Sequence, residues 1–414
     1  MLYKGSHTAL ERFLRYVQID TESDPNVMKT PSTQKQFDLA HVLAEELKAM
    51  GASEVEVDEH CYVMATIPST VAHEVPTICF CSHMDTTPDV TGANVKPQVH
   101  KNYQGGQIFI DPGSGLNINE VDQPYLSEQY GHTIVTASGD TLLGADDKAG
   151  VAAIMDAANY LLQHREIPHG KIRVLFTPDE EVGRGVDKLD IKKLNADFGY
   201  TLDGGEAGYV EGETFSADGC KVTITGTSAH PGYAKGKLVN ALRVASHLVT
   251  LLPLDKNCPE ATEGREGFVH LVTMEGSAEE VVLNFIIRDF ETGKLDEQYE
   301  VLRSACAKTR EAFPKAVIET HRSEQYRNLG EILQHHPEVM ANAEEAIRRI
   351  GLPVKTSQIR GGTDGSRLSF MGLPCPNLFT GMQMIHSRKE WISERDLNLA
   401  AKTIVELAAV WGEQ

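Results

Sequence analysis

The apolar positions in the first half of the chain follow two alternating patterns. A broad apolar stripe recurs at helical spacing over Thr33–Met50, which predicts an amphipathic helix with Gly51 as its C-cap. A second helix is predicted over Lys148–Gln163. Short apolar runs predict strands at Cys61–Ile67, Thr77–Cys81, Ile172–Phe176 and Phe198–Leu202. Apolar strands separated by helices predict an α/β domain whose central sheet is flanked by helices on both faces.

The pattern changes after about Gly208. Strands and helices then follow in the order β-α-β-β-α-β, which is typical of an α+β ferredoxin-like module. The predicted segments are Lys221–Thr225, Leu238–Leu252, Phe268–Met274, Val281–Ile287, Leu295–Ala312 and Ala316–Glu319. We therefore predict a separate domain that is inserted into the first one.

The α/β pattern resumes near Glu338. The predicted elements are Glu338–Ile350, Val354–Gln358, Asn377–Thr380 and Glu394–Trp411. The sequence thus predicts a discontinuous α/β domain at residues 1–207 and 320–414, with the inserted domain at 208–319. Residues 88–139, which are rich in Gly, Asn and Asp, are predicted to form hairpins and surface loops.

Length and composition narrow the functional classes. The 414 residues exceed one ordinary core and fit two domains, and the net charge of −20 disfavours nucleic-acid and membrane binding. The N-terminal segment lacks a secretory h-region, and no stretch approaches the ~20 apolar residues of a membrane span. Seven scattered cysteines predict a reducing, cytoplasmic location. Cys79 and Cys81 could join His83 as soft metal ligands, but they are more simply buried strand residues.

Three of the predicted strands end in residues that commonly bind metals. These residues are His83 and Asp85 after strand 77–81, Glu180 and Glu181 after strand 172–176, and Asp203 after strand 198–202. Because ligands of open α/β sheets gather at the carboxyl ends of the strands, these side chains can converge. Asp146 and Asp147 open the helix near Lys148, where a carboxylate gains from the helix N-terminus.

Each of these residues alone has an ordinary structural explanation. Asp146 or Asp147 would most often be an N-cap, and Glu180–Glu181 a solvated turn. That explanation does not account for acids and a histidine at several strand ends and a helix start together. Histidine nitrogen and carboxylate oxygen suit one or two Zn²⁺ ions, and clustered acids repel one another unless a cation neutralises them. His386 could complete such a set.

Six short motifs resemble those of the M20 family of zinc peptidases and follow one another in the family's order. They are His83–Asp85 (HMD), Gly144–Gly150 (GADDKAG), Asp179–Gly183 (DEEVG), Asp203–Gly205 (DGG), Gly226–Gly232 (GTSAHPG) and Arg360–Gly365 (RGGTDG). With His386, the resemblance covers nearly the whole chain. The combination is most similar to the family's tripeptide aminopeptidases. The resemblance therefore implies a metallo-aminopeptidase that releases the N-terminal residue from tripeptides.

The resemblance also implies a role for each residue of the metal site. Two Zn²⁺ ions per subunit would be bridged by Asp146, with His83 and Asp203 on one ion and Glu181 and His386 on the other. Glu180 would be the general base, which takes a proton from the attacking water. Asp85 would orient the imidazole of His83. Asp147 would not be a ligand, although the peptide that joins it to Asp146 is often cis in the family.

The remaining motifs are assigned to the substrate by the same resemblance. His230 would reach the substrate carbonyl, in dimeric relatives from the partner subunit, and Arg360 would hold a substrate carboxylate. The inserted domain would be a lid, and it would also be the surface of a homodimer. One departure concerns an Asn that many relatives carry about a dozen residues before the lid-strand arginine. Gly276 takes that position relative to Arg288, which puts carboxypeptidase-like relatives in doubt rather than the family.

Three other functions fit parts of the pattern. Another hydrolase of the same family, such as a dipeptidase, an aminoacylase or a carboxypeptidase, would share the zinc residues. A non-catalytic binding protein on the same fold is disfavoured by the intact Glu180 and the full ligand set. A nucleotide-binding α/β protein is disfavoured because no Gly-rich phosphate loop follows the first strands, and residues 144–147 place acids where a phosphate would lie.

Overall fold

The computed structural model describes all residues from Met1 to Gln414 and contains two compact units. The first unit comprises Met1–Gly212, Ile332–Ser357 and Thr363–Gln414, and the second comprises Glu213–Glu331 and Gln358–Gly362. The insertion thus begins five residues and ends twelve residues later than the predicted 208–319, and its last strand continues to Tyr326. The segment that carries Arg360 also belongs to the second unit, although the sequence placed it in the first.

The two units together contain ten α-helices and seventeen strands. The helices are α1 (Ala9–Tyr16), α2 (Gln36–Met50), α3 (Ala145–Gln163), α4 (Ile191–Leu194), α5 (Ala241–Thr250), α6 (Leu295–Ala312), α7 (Gly330–Leu333), α8 (Pro337–Arg349), α9 (Asp364–Phe370) and α10 (Glu394–Gly412). The strands are β1 (Ser53–Val57), β2 (Val63–Ile67), β3 (Ile78–His83), β4 (Gln98–His100), β5 (Ile108–Asp111), β6 (Leu116–Ile118), β7 (Ile134–Thr136), β8 (Ile172–Thr177), β9 (Phe198–Gly204), β10 (Tyr209–Thr214), β11 (Ser216–Thr225), β12 (Phe268–Gly276), β13 (Glu280–Asp289), β14 (Val317–Tyr326), β15 (Lys355–Ile359), β16 (Asn377–Phe379) and β17 (Trp391–Ser393). None of the helices combines the length and apolar character needed to cross a bilayer.

An eight-stranded mixed sheet organises the first unit, in the order β1-β2-β8-β3-β9-β16-β10-β15. Its centre is parallel, since β8, β3, β9 and β16 run in the same direction, whereas β1, β2 and β10 pair antiparallel with their neighbours. Every residue of β3 and β8 is buried, as expected of parallel strands that are covered on both faces. The predicted α/β class is confirmed, and the carboxyl ends of β8, β3 and β9 lie side by side.

Helix α3 packs on the centre of this sheet, against β3 and β9, and contacts α1, α2 and α10 on its other sides. Almost all of its residues are buried, as in a helix that lies inside a core. At Gly150, a Cβ atom would lie 1.9 Å from the carbonyl oxygen of Leu202 in β9, so the first turn of the helix lies directly against this strand. This glycine therefore sets the distance between the first turn of α3 and the sheet.

The second unit contains a four-stranded antiparallel sheet in the order β12-β13-β11-β14. Helices α5 and α6 pack against it and against each other. The chain order β11-α5-β12-β13-α6-β14 is the predicted β-α-β-β-α-β order, so the ferredoxin-like prediction is confirmed. Its core includes apolar residues from all of these strands and both helices, among them Val222, Ile224, Val244, Leu248, Val269, Leu283, Phe285, Leu302 and Ile318.

Most predicted elements agree with the structure to within a few residues, and α6 has the predicted bounds. Strand β10 (YVEGET) and helix α9 were not predicted, because the first is mostly polar and the second follows a run of glycines. The predicted hairpins and loops at 88–139 contain the hairpin of β5 and β6, and β4 and β7, which form a small sheet with β17.

Candidate active site

The side chains at the ends of β3, β8 and β9 come together at one edge of the main sheet. His83 is the last residue of β3, and Asp203 lies next to the last residue of β9. After β8, Asp179 takes a left-handed conformation with φ 55°, and Glu180 and Glu181 form a short 3-10 turn. Parallel strand order therefore brings the three predicted clusters together, because neighbouring parallel strands end at the same edge.

Asp146 comes to this edge from the start of α3. Gly144 has φ 82°, Asp146 has non-helical dihedral angles, and the peptide between Asp146 and Asp147 is cis. Oδ1 of Asp146 lies 2.9 Å from Nε2 of His83, and Oδ2 lies 3.3 Å from Nε2 of His386. The two oxygens of one carboxylate thus face two different imidazoles, which is the arrangement that a bridging ligand requires.

Two groups of donor atoms share Asp146. His83, Asp146 and Asp203 form the first group, and Asp146, Glu181 and His386 form the second, with donor atoms within 4.8 Å of one another in each. Nε2 of His83 lies 3.8 Å from Oδ1 of Asp203, and Nε2 of His386 lies 2.9 Å from Oε2 of Glu181. The structure therefore brings together the same two sets of residues that the sequence resemblance implies.

The electrostatics of these groups fit a bound cation. Oε1 of Glu181 is buried without a hydrogen-bond partner, and burial raises the pKa of Glu181 to about 7, with Asp146 adding to the shift. Burial also raises the pKa of Asp203 well above its ordinary value. Hydrogen bonds to Asp146 and Glu181 raise the pKa of His386 to about 11. Without a metal, protons must therefore balance the negative charge, and divalent cations would replace them. The mixed nitrogen and oxygen donor set suits Zn²⁺.

Glu180 lies beside the first group without belonging to either. Its Oε2 is 3.9 Å from Nε2 of His83. Burial raises the pKa of Glu180 well above its ordinary value, and the negative charges of Asp364 and Glu181 add to the effect. A carboxylate that accepts a proton readily, close to a metal site, has the properties of a general base.

Asp85 is fully buried and holds two parts of the site. Nδ1 of His83 donates a hydrogen bond to the backbone carbonyl oxygen of Asp85 at 3.0 Å, while Oδ1 of Asp85 lies 3.4 Å from the same nitrogen. The Asp85 carboxylate accepts hydrogen bonds from the backbone N–H groups of Glu180 at 3.0 Å and Glu181 at 3.2 Å. The carbonyl is thus the closer partner of the imidazole, and the carboxylate also fixes the turn that carries the two glutamates.

Asp147 belongs to neither donor group. Its carboxylate accepts hydrogen bonds from the backbone N–H groups of His83 and Gly150, both at 3.2 Å, and from the hydroxyl of Ser82. These bonds connect the end of β3 with the first turn of α3. The position agrees with the expectation that Asp147 is not a ligand.

Three further acids surround the ligands, and the sequence analysis assigned no role to them. Oδ2 of Asp89 lies 3.1 Å from Nδ1 of His386. Asp364 accepts a hydrogen bond from Thr177 at 2.7 Å, and burial raises its pKa to about 6. Glu390 is 1% exposed and binds the backbone that precedes Asp146. In the sequence they resemble solvated acids. Burial reveals Asp364 and Glu390, and the contact with His386 reveals the exposed Asp89.

The two predicted substrate residues lie in the second unit. His230 is exposed, and its Nδ1 accepts a hydrogen bond from the N–H of Gly232 at 3.2 Å, so a neutral imidazole carries its proton on Nε2. The Arg360 guanidinium is half-buried. It donates to the carbonyl oxygens of Gly264 at 2.7 Å and Glu266 at 3.1 Å through Nη1, and to the hydroxyl of Thr262 at 3.1 Å through Nη2.

The chain is similar to known proteins in both sequence and fold. A sequence profile for "Peptidase family M20/M25/M40" matches residues 142–410. The chain is 46% identical to the Peptidase T of Geobacillus sp. (strain WCH70) over 405 residues, which cover 98% of each chain. It is 45% identical to the Peptidase T of Bacillus subtilis (strain 168) over 399 residues, 96% of this chain and 97% of the relative. It is also similar to the crystal structure of a tripeptidase from Staphylococcus aureus, with a TM-score of 0.76, 25% identity and 98% of each chain covered.

Proposed function

Because the chain belongs to peptidase family M20/M25/M40, we propose that it is a zinc-dependent aminopeptidase that releases the N-terminal residue from tripeptides. Its family and the relatives that match almost its entire length show that it is a peptide hydrolase. The observation that carries the metal part of the proposal is the sharing of Asp146 by two groups of donor atoms. The tripeptide substrate is supported by the similarity to a tripeptidase over 98% of the chain.

In the proposed site, each ligand is held by a different part of the fold. His83 and Asp203 would bind one ion, Glu181 and His386 the other, and Asp146 both. When bound, the zinc ions would supply the Lewis acidity that lowers the pKa of a water molecule and polarises the scissile carbonyl. The backbone bonds of Asp85 would fix the turn that carries the general base and the neighbouring ligand.

Glu180 would perform the proton transfers of the reaction. Its raised pKa suits a carboxylate that takes a proton from the attacking water. The protonated carboxyl would then deliver that proton to the nitrogen of the leaving peptide, so that the group returns to its starting state. A single carboxyl group beside the ligands therefore suffices for both proton transfers.

The substrate contacts are proposed for the second unit. Nε2 of His230 would donate a hydrogen bond to the substrate carbonyl oxygen as negative charge develops there. Arg360 would bind the substrate carboxylate. Both terminal nitrogens of Arg360 already donate to Thr262, Gly264 and Glu266, so the substrate carboxylate would bind through Nε–H or after one of those bonds opens.

We also propose that the protein acts in the cytoplasm as a homodimer that forms through the second unit. The cytoplasmic location is supported by seven cysteines that are all free and buried. The dimer is supported by β12, an edge strand that exposes Val272 and Met274. Sedimentation velocity would test the dimer, and substitution of both residues by lysine should then yield monomers.

Hydrolysis of a matched peptide series would test the proposed activity. Trialanine should be cleaved, dialanine and tetraalanine should be poor substrates, and N-acetyl-trialanine should resist cleavage because its amino group is blocked. A chelator should abolish activity, and added Zn²⁺ should restore it. The released residue should be the N-terminal one in a tripeptide of three different residues. Preferred cleavage of dipeptides, of N-acyl amino acids or at the C-terminus would instead identify a dipeptidase, an aminoacylase or a carboxypeptidase.

A further inference from the structure

Glu390 is a buried carboxylate that connects two loops of the metal site. Its side chain is 1% exposed. Oε2 accepts hydrogen bonds from the backbone N–H groups of Leu143 and Gly144, both at 2.7 Å, and Oε1 accepts one from the N–H of Asp146 at 3.0 Å. A single carboxylate thus holds the backbone of the loop that ends in the shared ligand.

Glu390 also lies on the loop that carries His386, a member of the second donor group. Backbone hydrogen bonds in both directions between Gln383 and Trp391, at 2.9 and 3.0 Å, close this loop. His386 itself adopts a left-handed conformation with φ 57°, which is uncommon for a non-glycine residue. The closed loop fixes the backbone of His386 relative to Glu390, and the hydrogen bonds of Glu390 fix the backbone of Asp146.

We propose that Glu390 is a positioning residue that sets the distance between Asp146 and His386 and thereby tunes metal binding at the group formed by Asp146, Glu181 and His386. The inference rests on the proposed two-metal site. Hydrogen bonds from backbone N–H groups to a carboxylate are stronger than those to a neutral acceptor. Because the three N–H groups approach both side-chain oxygens, both of these atoms must be hydrogen-bond acceptors. A glutamine cannot replace this arrangement, because its amide NH₂ would face N–H donors on one side.

Metal titration of two matched variants would test this role. Glu390→Gln changes the proposed positioning residue. Glu406→Gln makes the same chemical change at another buried glutamate of the first unit, which is 1% exposed and accepts a hydrogen bond from the N–H of Leu2. Each metal-free protein would be titrated with Zn²⁺ in competition with a chromophoric chelator, and its thermal unfolding measured with and without the metal.

We expect Glu390→Gln to bind Zn²⁺ at the group formed by Asp146, Glu181 and His386 about 10–100-fold more weakly than the parent. A loss of this size is typical when a residue that supports metal ligands is removed. Its activity should recover in excess Zn²⁺. Hydrogen exchange should also become faster at the amides of residues 143–146. Glu406→Gln should unfold at a lower temperature but bind both ions like the parent. A structural role alone would lower the unfolding temperature of both variants and leave their metal affinity equal.

The inference is overturned if Glu390→Gln binds both ions with parental affinity. If this variant does not fold, Glu390→Asp replaces it, because the shorter acid keeps the charge but cannot reach all three N–H groups. Parental affinity in Glu390→Asp would then be the contrary result. The readout is metal binding, so it remains decisive even if the parent protein binds two ions and hydrolyses no tripeptide, which would refute the proposed substrate alone.

Discussion

Glu180 and Glu181 are neighbours in the chain, but the structure gives their carboxylates different surroundings. The Glu181 side chain is 4% exposed, with Oε2 at 2.9 Å from Nε2 of His386 and Oε1 without a hydrogen-bond partner. The Glu180 side chain is 17% exposed and lies 3.9 Å from Nε2 of His83. These different surroundings support the proposal that Glu181 is a metal ligand and Glu180 the general base.

Exchange of each glutamate for its neutral isostere separates the two roles. Glu180→Gln should retain both metal ions and lose kcat by about 10²–10⁴-fold, because only proton transfer is removed. Glu181→Gln should lose one ion, since a carboxylate bond to the metal disappears, and its activity should partly return in excess Zn²⁺. Metal analysis and kinetics on both variants check the assignment. Metal loss from Glu180→Gln with retention in Glu181→Gln would reverse it.

The role of His230 can also be tested by a single substitution. Its Nδ1 accepts a hydrogen bond from the N–H of Gly232, so its Nε2 is the nitrogen that can donate to a substrate. His230→Ala should lower kcat by about 10²–10³-fold, the usual effect of losing one donor to a developing oxyanion, while the metal content stays unchanged. His321→Ala is the matched control, since it removes an exposed histidine of the same unit from β14.

Mixing two inactive variants can show which subunit supplies His230 to each active site. If each active site uses His230 of the partner subunit, heterodimers of His230→Ala and Glu180→Ala should recover part of the parental activity, because one of their sites is intact. The experiment requires purified heterodimers and a tripeptide assay. Heterodimers without activity would show that His230 acts within its own chain.

At the scale of elements, the contact between α3 and β9 determines where Asp146 lies relative to Asp203. Both residues belong to the first donor group, and at Gly150 their two elements lie too close together to admit a Cβ atom. A Cβ at Gly150 would also lie 2.6 Å from Oδ1 of Asp147, whose hydrogen bonds connect α3 with β3. Helix packing and ligand geometry are therefore coupled at this position.

Gly150→Ala should push the start of α3 away from the sheet. We expect a loss of about 1–3 kcal/mol in the free energy of unfolding, which is typical of an overpacked core, together with weaker metal binding. Ala157→Gly, a buried position on the same helix, is the control. It should cost about 1 kcal/mol through helix propensity and leave metal affinity unchanged. Denaturant unfolding and Zn²⁺ titration measure both effects, and equal metal affinity in both variants would contradict the coupling.

At the scale of the whole molecule, the second unit has a core of its own. Its helices and strands bury an apolar cluster that contains no residue of the first unit. Its length is also that of an ordinary domain. These features indicate that it can fold without the rest of the chain.

The fragment Glu213–Glu331 should therefore fold alone and unfold cooperatively, because its hydrophobic core is complete within that range. Circular dichroism during thermal and denaturant unfolding checks the result. A fragment that starts at Gly208 and ends at Glu319, the range predicted from the sequence, is the comparison. It should be less stable, since it lacks the last residues of β14. A non-cooperative transition in the longer fragment would refute independent folding.

The sequence by itself determined the class of both units and most of their elements. The bounds of α6, the order of the ferredoxin-like unit and the strands that end in His83, Glu180 and Asp203 were predictable, because periodicity and residue chemistry are local properties. The ligand motifs were also local, and each occupies a few consecutive residues. Their pairing into two groups came from the resemblance to a family rather than from the pattern itself.

Only the tertiary structure decided which groups support those motifs. Glu390 and Leu143 are 247 positions apart, so no sequence pattern could pair them. The bonds of Asp85 to the glutamate turn cross 95 and 96 positions. The place of Arg360 in the second unit and the bonds that occupy its guanidinium likewise depend on distant residues. Burial and hydrogen-bond partners arise from chain segments that meet only when the protein folds, and this is the physical reason that the sequence did not reveal them.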